Sequence, residues 1–375
     1  AAGQLLHRFT GHPAAILDLS VSPDAQLLAS ASSDKTIRLW HLQRDDAPNQ
    51  KGSVYSARFS PLPIAAQPAD RRFATAGWDG NIYLWKQIGT ARTLVRILKG
   101  HTSTIAALAY SSDGKTLASG SWDHSIQLWS LTDGKALATL KGHKDGVTSV
   151  AFSPDGQAIA SGSNDHSVKL WKIDGTLLTT LNGHNDGVTS VTFSPDGQAI
   201  ASGSYDHTVM LWKRDGTLLK TIDQQAAVSS VQFSPDGRFL AVGSWDNTLR
   251  LWQIAPDGLP SETPVHIFTG HQGGVTALDF SQDGQVLASS SADGTIKLWN
   301  VSEGRLLHTL FGHRDRVNSV QFSPDRQALL SADDQGSVIL WNLDLDSLLR
   351  QGCSRLHNYL QTNPTLPQSD RAICG

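Results

Sequence analysis

Apolar and polar residues alternate in short runs along most of the chain, and each run is cut by a turn signal. In Gly142–Leu181, Val147, Val150 and Phe152 sit in a first predicted strand. Ser153-Pro154-Asp155-Gly156 follows as a type I turn, with serine first, proline second and glycine fourth. Ala158–Ser163 reads as a second strand, Asp165-His166 as a tight turn and Val168–Trp171 as a third strand; past Asp174-Gly175, Leu177–Leu181 is a fourth. The pattern then recurs: Gly142–Leu178 and Gly183–Leu219 agree at 31 of 37 positions. Leu-Trp pairs ending at Trp40, Trp85, Trp129, Trp171, Trp212, Trp252, Trp299 and Trp341 mark eight copies, 40 to 47 residues apart. A period of that size, built from four short strands, predicts radial β-sheet blades and not a helical repeat.

Gly-His, then Ser-Pro-Asp-Gly, then Ala-Ser-Gly-Ser-x-Asp-x-x-Val-x-Leu-Trp resembles the WD40 repeat, over about Leu5–Leu345. The Trp-Asp dipeptide is absent: His41, Lys86, Ser130, Lys172, Lys213, Gln253, Asn300 and Asn342 follow the tryptophans. Leu5–Phe9 aligns with Leu306–Leu310, a fourth strand leading into a next blade, whereas repeat eight stops after its third strand near Trp341. The expected fold is therefore an all-β, eight-bladed WD40-type β-propeller over residues 1–345, closed by the N-terminal strand so that two exposed edges are removed. Seven blades with one degenerate repeat is the alternative. Beyond it, Leu348, Leu349, Cys353, Leu356, Tyr359 and Leu360 recur at helical spacing, with Asp346 as N-cap and Pro364 past the end. They predict a short helical C-terminal tail over 346–375. Gly352-Cys353, Asn363-Pro364 and Asp370-Arg371-x-x-Cys374 resemble the tail that follows WD40 arrays in large bacterial signalling proteins, which implies a C-terminal sensor module.

At 375 residues the chain exceeds the ~250–300 that one continuous core supports. Stacked repeats escape that limit because each unit packs only on its neighbours. A net charge of -3 with 17% charged residues argues against a nucleic-acid partner. No apolar run approaches the ~20 residues needed to cross a membrane. Cys353 and Cys374 are the only cysteines, so disulfides cannot hold the body together and a cytoplasmic location is expected. The chain starts at Ala1 and its sole methionine is Met210, so the expectation is a monomeric propeller within a longer multidomain chain.

The resemblance implies a buried tetrad in each blade. His101, Ser119, Asp123 and Trp129 fill its positions in repeat three. The set recurs as His12, Ser30, Asp34, Trp40; as His143, Ser161, Asp165, Trp171; as His184, Ser202, Asp206, Trp212; and as His271, Ser289, Asp293, Trp299. Ser, His and Asp together invite a hydrolase reading. Multiplicity defeats it, since every blade must satisfy its buried polar groups while an enzyme needs one site. No catalytic residue and no cofactor is expected. Repeat six lacks the Gly-His and carries Val242 for serine, repeat two lacks the histidine but keeps Thr75, and repeat eight has Gln335 where aspartate is expected. Repeats two and eight should then be the less rigid. His124, His166 and His207 follow the turn aspartates in three successive repeats, too far apart for one metal ion; they read as turn residues and no metal is expected.

The residue before the turn aspartate should lie on one rim of the ring, near the central channel. It is Ser33, Trp78, Trp122, Asn164, Tyr205, Trp245, Ala292 or Asp334 in the successive repeats. The chain has eleven tryptophans, and all three that are not repeat tryptophans occupy this register. Exposed aromatics at one end of a fold are the composition of an interface anchor. Tyr55 and Arg316, near the starts of first strands, open on the same end. The expected function is a non-enzymatic protein- or peptide-binding module, sensor or scaffold, that uses this rim. The alternative is a constitutive structural scaffold or spacer, in which each ring only shields its neighbour's turn.

Overall fold

The computed structural model describes residues 16–21, 27–32, 37–41, 52–61, 70–88 and 91–343. These form thirty strands, β1 to β30 in chain order, in eight antiparallel sheets, one per repeat. There is no helix among the described residues.

Repeat four shows how the local sequence acts. β12 (Val147–Phe152), β13 (Ala158–Ser163), β14 (Ser167–Lys172) and β15 (Leu177–Asn182) pair in chain order, with Val150 opposite Ser161 and Ser161 opposite Lys169. At the first turn, Gly156 N donates to Ser153 O at 2.8 Å with Gly156 at φ +67°, a conformation that favours glycine. The Ser153 hydroxyl donates to the Asp155 carboxylate and accepts from Ala158 N, which fixes the hairpin. Glycine in the second strand has a different cause. A Cβ on Gly162 would lie 2.7 Å from Val188 Cγ1, so the next blade could not approach.

The innermost strands are β4 (Val54–Phe59), β8 (Ile105–Tyr110), β12, β16 (Val188–Phe193), β20 (Val228–Phe233), β24 (Val275–Phe280) and β28 (Val317–Phe322). Each packs on the next, and β28 packs back on β4. The ring therefore has seven blades, repeats two to eight, and the expectation of eight is overturned. The joint between repeats eight and two is built like the joints inside the array. Ala57 N donates to Ser319 Oγ at 3.2 Å, as Leu108 N does to Ser56 Oγ at 3.2 Å, Val191 N to Ser149 Oγ at 3.0 Å and Val231 N to Ser190 Oγ at 3.1 Å. Phe59 N also donates to Gln321 Oε1 at 2.7 Å. Val54, Phe59, Phe73 and Trp85 share one apolar cluster with Ala328, Leu330 and Val338. Direct hydrogen bonds and a shared apolar cluster leave no gap for another sheet.

Repeat one forms β1 (Ile16–Val21), β2 (Leu27–Ser32) and β3 (Ile37–His41), which pair with one another outside the ring, with β3 beside β27 (Arg305–Phe311). The N-terminal strand expected to close the ring and the helical tail expected over 346–375 lie outside the described residues.

Candidate functional site

The residues before the turn aspartates share one backbone contact. Trp122 N donates to Thr104 O at 2.9 Å, Asn164 N to Gly146 O at 2.9 Å, Tyr205 N to Gly187 O at 3.0 Å and Trp245 N to Ala227 O at 3.0 Å. The same backbone bond thus holds each residue against the loop that enters its own blade. Trp78 is 60% exposed, Tyr205 43% and Trp122 40%, while Trp245 is half-buried.

Two of the expected contacts come together as pairs. The Tyr55 and Trp122 rings lie 5.9 Å apart at 43°, joining the blades of repeats two and three. The Arg316 guanidinium lies 4.8 Å from the centre of the Trp245 ring, joining repeats eight and six. Trp122 and Trp245 also rest on the following blade: a Cβ on Gly146 would lie 3.0 Å from Trp122 Cδ1, and one on Gly274 2.2 Å from Trp245 Cε3. A cation over an indole contributes about 0.5–2 kcal/mol, so Arg316 and Trp245 hold each other in place. Shielding describes Trp245 well. It does not describe Trp78, whose side chain is the most exposed of the four.

The tetrads form in repeats three, four, five and seven. His101 Nδ1 lies 2.8 Å from Asp123 Oδ2 and its Nε2 lies 2.7 Å from Ser119 Oγ, which accepts from Trp129 Nε1 at 2.9 Å. Corresponding distances are 2.9, 2.7 and 2.8 Å for His143, Asp165, Ser161 and Trp171. They are 2.9, 2.7 and 2.9 Å for His184, Asp206, Ser202 and Trp212. They are 3.0, 2.8 and 2.8 Å for His271, Asp293, Ser289 and Trp299. Burial pushes these carboxyls up, but hydrogen bonds from the histidine, a hydroxyl and a backbone N–H outweigh it. Asp123, Asp165, Asp206 and Asp293 are therefore held below the ordinary carboxylate range. The serines are fully buried and engaged by tryptophan, so no substrate can reach them as nucleophiles. In repeat one, His12 and Asp34 lie outside the described residues, as does the side chain of Trp40; Ser30 is buried.

The irregular repeats use substitute partners, completely in repeat eight and in part in repeats two and six. In repeat eight, Asp333 replaces the missing aspartate from two positions earlier: its Oδ2 lies 2.7 Å from His313 Nδ1, and His313 Nε2 lies 2.6 Å from Ser331 Oγ. Trp341 Nε1 completes that tetrad by donating to Ser331 Oγ at 2.8 Å. In repeat two, Trp85 Nε1 donates to Thr75 Oγ1 at 2.8 Å, and the Tyr83 hydroxyl donates to Asp79 Oδ2 at 2.7 Å. In repeat six, Arg250 Nη2 donates to Asp246 Oδ2 at 2.6 Å, while Trp252 Nε1, in one apolar cluster with Val242, has no partner among the described residues. Sequence reasoning missed Asp333, Tyr83 and Arg250. Tyr83 and Arg250 both stand two residues before the repeat tryptophan, where the other repeats place Arg38, Gln127, Lys169, Met210, Lys297 and Ile339, so the tyrosine carried a signal and the arginine did not.

His124, His166 and His207 are exposed turn residues with φ of 67°, 68° and 68°, in the left-handed position that Gly80 and Gly294 fill in repeats two and seven. Among the described residues, no group of three or more His, Cys, Asp and Glu side chains converges to hold a metal.

Seven radial sheets, with a buried polar tetrad or its substitute in every blade, define a β-propeller of repeated blades. The family model described as IFT122 first beta-propeller matches residues 62–255, just over half of the chain, and that described as WD domain, G-beta repeat matches 3–41, 262–300 and 304–342. The chain belongs to the WD40 repeat β-propeller family, whose members are typically non-enzymatic protein-interaction scaffolds. It is 26% identical to Ribosome biogenesis protein WDR12 homolog of Chlamydomonas reinhardtii over 30% of this chain and 32% of that protein. It is 31% identical to Nuclear distribution protein PAC1 of Arthroderma otae over 36% of this chain and 33% of that protein. It is also 31% identical to human Transducin beta-like protein 2, over 32% of this chain and 27% of that protein. The match thus spans about a third or less of each relative's length. These relatives are eukaryotic, and the likeness to bacterial signalling arrays finds no support among them.

Proposed function

We propose that this propeller binds a protein or peptide partner on the aromatic end of the ring, through Trp78, Trp122 and Tyr205. Tyr55 is the neighbour that steadies Trp122, and Trp245 with Arg316 forms the far end of the surface. The observation that carries the reading is the exposure of Trp78, at 60%, in the same register as the two other surplus tryptophans. A large aromatic left in water forfeits the roughly 1.5–3 kcal/mol that burial of such a side chain returns, and a partner can recover it. We read the chain further as a monomeric, cytoplasmic module of a longer signalling protein, with neither nucleic acid nor membrane as partner. The net charge of -3 supports the exclusion of nucleic acid.

The second reading, a spacer without a dedicated ligand, draws on Trp245, which lies against Gly274 and under Arg316. Replacing Trp78 and Trp122 by alanine separates the two. Binding to a partner isolated with the native chain should be lost while the melting temperature changes little. A large drop in melting temperature with binding intact favours the spacer.

A further inference from the structure

The connection between third and fourth strands is a tight turn in repeats four and five, closed at Gly175 and Gly216. In repeat six, between β22 (Leu249–Gln253) and β23 (His266–Phe268), it is an excursion over 254–265. The excursion folds on itself through Ala255 N to Leu259 O at 2.8 Å and a bridge between Ile254 and Pro260. It is then strapped to the neighbouring blade. Lys220 Nζ, on β19 (Leu218–Asp223) of repeat five, donates to Pro260 O and to Glu262 Oε1, both at 2.8 Å.

Beside this strap, between repeats five and six, a groove of about 1020 Å³ opens on the end of the ring opposite the aromatic rim. Leu219 and Ile254, partly buried over the core residue Phe233, give it apolar surface, and Asp196, Asp215 and Asp257 stand around it. Each of those carboxylates uses Oδ1 within its own turn, accepting from Gln198 N at 3.0 Å, Thr217 N at 2.9 Å and Leu259 N at 3.0 Å, and Asp215 also accepts from the Thr217 hydroxyl; Asp196 and Asp257 keep Oδ2 unpaired among the described residues. The Ser194 hydroxyl holds the Asp196 carboxyl below its ordinary range and Thr217 N does the same for Asp215, so both are ionised at neutral pH. A fourth lining carboxylate, Asp236, is answered by Arg238 at 2.6 Å. Of the two lining cations, Arg214 is engaged 2.7 Å from Asp155 outside the groove, which leaves Lys213 against three carboxylates.

We propose that this groove is a second docking surface, distinct from the rim, that takes an extended segment of a partner protein with a basic side chain between apolar ones. The excess negative charge selects the basic residue, the apolar surface receives its neighbours, and the size suits a few side chains. Because it lies on the opposite end, this surface can be occupied together with the rim.

A library of random peptides displayed on phage and panned on the full chain tests this. The expected result is a family of selected peptides with Arg or Lys flanked by apolar residues. Their affinity should fall about tenfold or more on Asp215→Asn combined with Asp257→Asn, weaken as salt rises, and be unchanged by Trp78→Ala. An acidic or uncharged consensus, or a set of selected peptides none of which responds to the groove substitutions, overturns the proposal. So does self-association of the full chain that the groove substitutions abolish, which would make the occupant a second copy.

Discussion

The Tyr83 hydroxyl donates to Asp79 Oδ2 at 2.7 Å and so takes the place of the histidine that repeat two lacks. Arg250 does the same for Asp246 in repeat six, at 2.6 Å. In both blades the substitute comes from the third strand, two residues before the tryptophan, and reaches back to the aspartate of the preceding turn. In these two blades the turn aspartate is kept and its partner changes, whereas in repeat eight the histidine is kept and the aspartate moves to position 333.

Tyr83→Phe should destabilise the chain by about 1–3 kcal/mol, because it removes the donor and leaves the aspartate short of a partner. Burial first, and the Asp79 bond second, push the Tyr83 hydroxyl up to about 12. A raised value means that the contribution is full below the ordinary ~10 and is lost as pH rises from there through about 12. The difference in urea midpoint between wild type and Tyr83→Phe should therefore shrink over that window. A difference that stays constant would contradict the assignment.

Asp333, not Gln335, carries the network in repeat eight. Asp333→Ala should cost about 2 kcal/mol or more, since it strips a buried histidine of its partner, whereas Gln335→Ala should stay within about 0.5 kcal/mol. Thermal unfolding of the two variants decides it, and equal losses would count against the substitution.

Acid should loosen the blades in two stages. Burial pushes the His184 imidazole down, against the opposing pull of Asp206, so its contribution is present above the ordinary ~6.5 and is lost as pH falls below it. The tetrad carboxyls, held below their ordinary range, contribute above about 4 and lose that contribution as pH falls further. Urea midpoints measured from neutral pH down to about 3 should decline in both ranges. Asp165→Asn should flatten the lower one, and an unchanged slope there would count against the tetrad as its source.

Much of this was legible in the residues. Ser153 to Gly156 announced their turn, and the surplus tryptophans their common register. The number of blades was not legible in the same way. Counting Leu-Trp pairs counts sheets, but closure depends on whether the last inner strand meets the first or the second. Ser319 bonding Ala57 settles that at a sequence separation no repeat pattern encodes. Asp333 was missed because a side chain can reach the histidine from a register two residues away. The groove between repeats five and six was missed because an insertion such as that over 254–265 reads as loop until its strap, Lys220, is placed.

The joint between repeats eight and two can be measured directly. Arg58 Nη1 donates to Ser319 Oγ at 3.0 Å, so a double-mutant cycle of Arg58→Ala and Ser319→Ala should show a coupling of about 0.5–3 kcal/mol. Additivity within about 0.3 kcal/mol, as for distant sites, would mean that another blade separates them.

The most direct test of the binding surface is contact itself. A photo-crosslinking residue placed at Trp78, on the rim, and separately at Leu137, an equally exposed position on an outer strand, reports which surface touches the partner. The expected result is a crosslink from position 78 that excess unlabelled wild-type chain suppresses, with none from position 137. Crosslinking from 137 and not from 78, with both variants folded, would contradict the assignment of the aromatic rim as the binding surface.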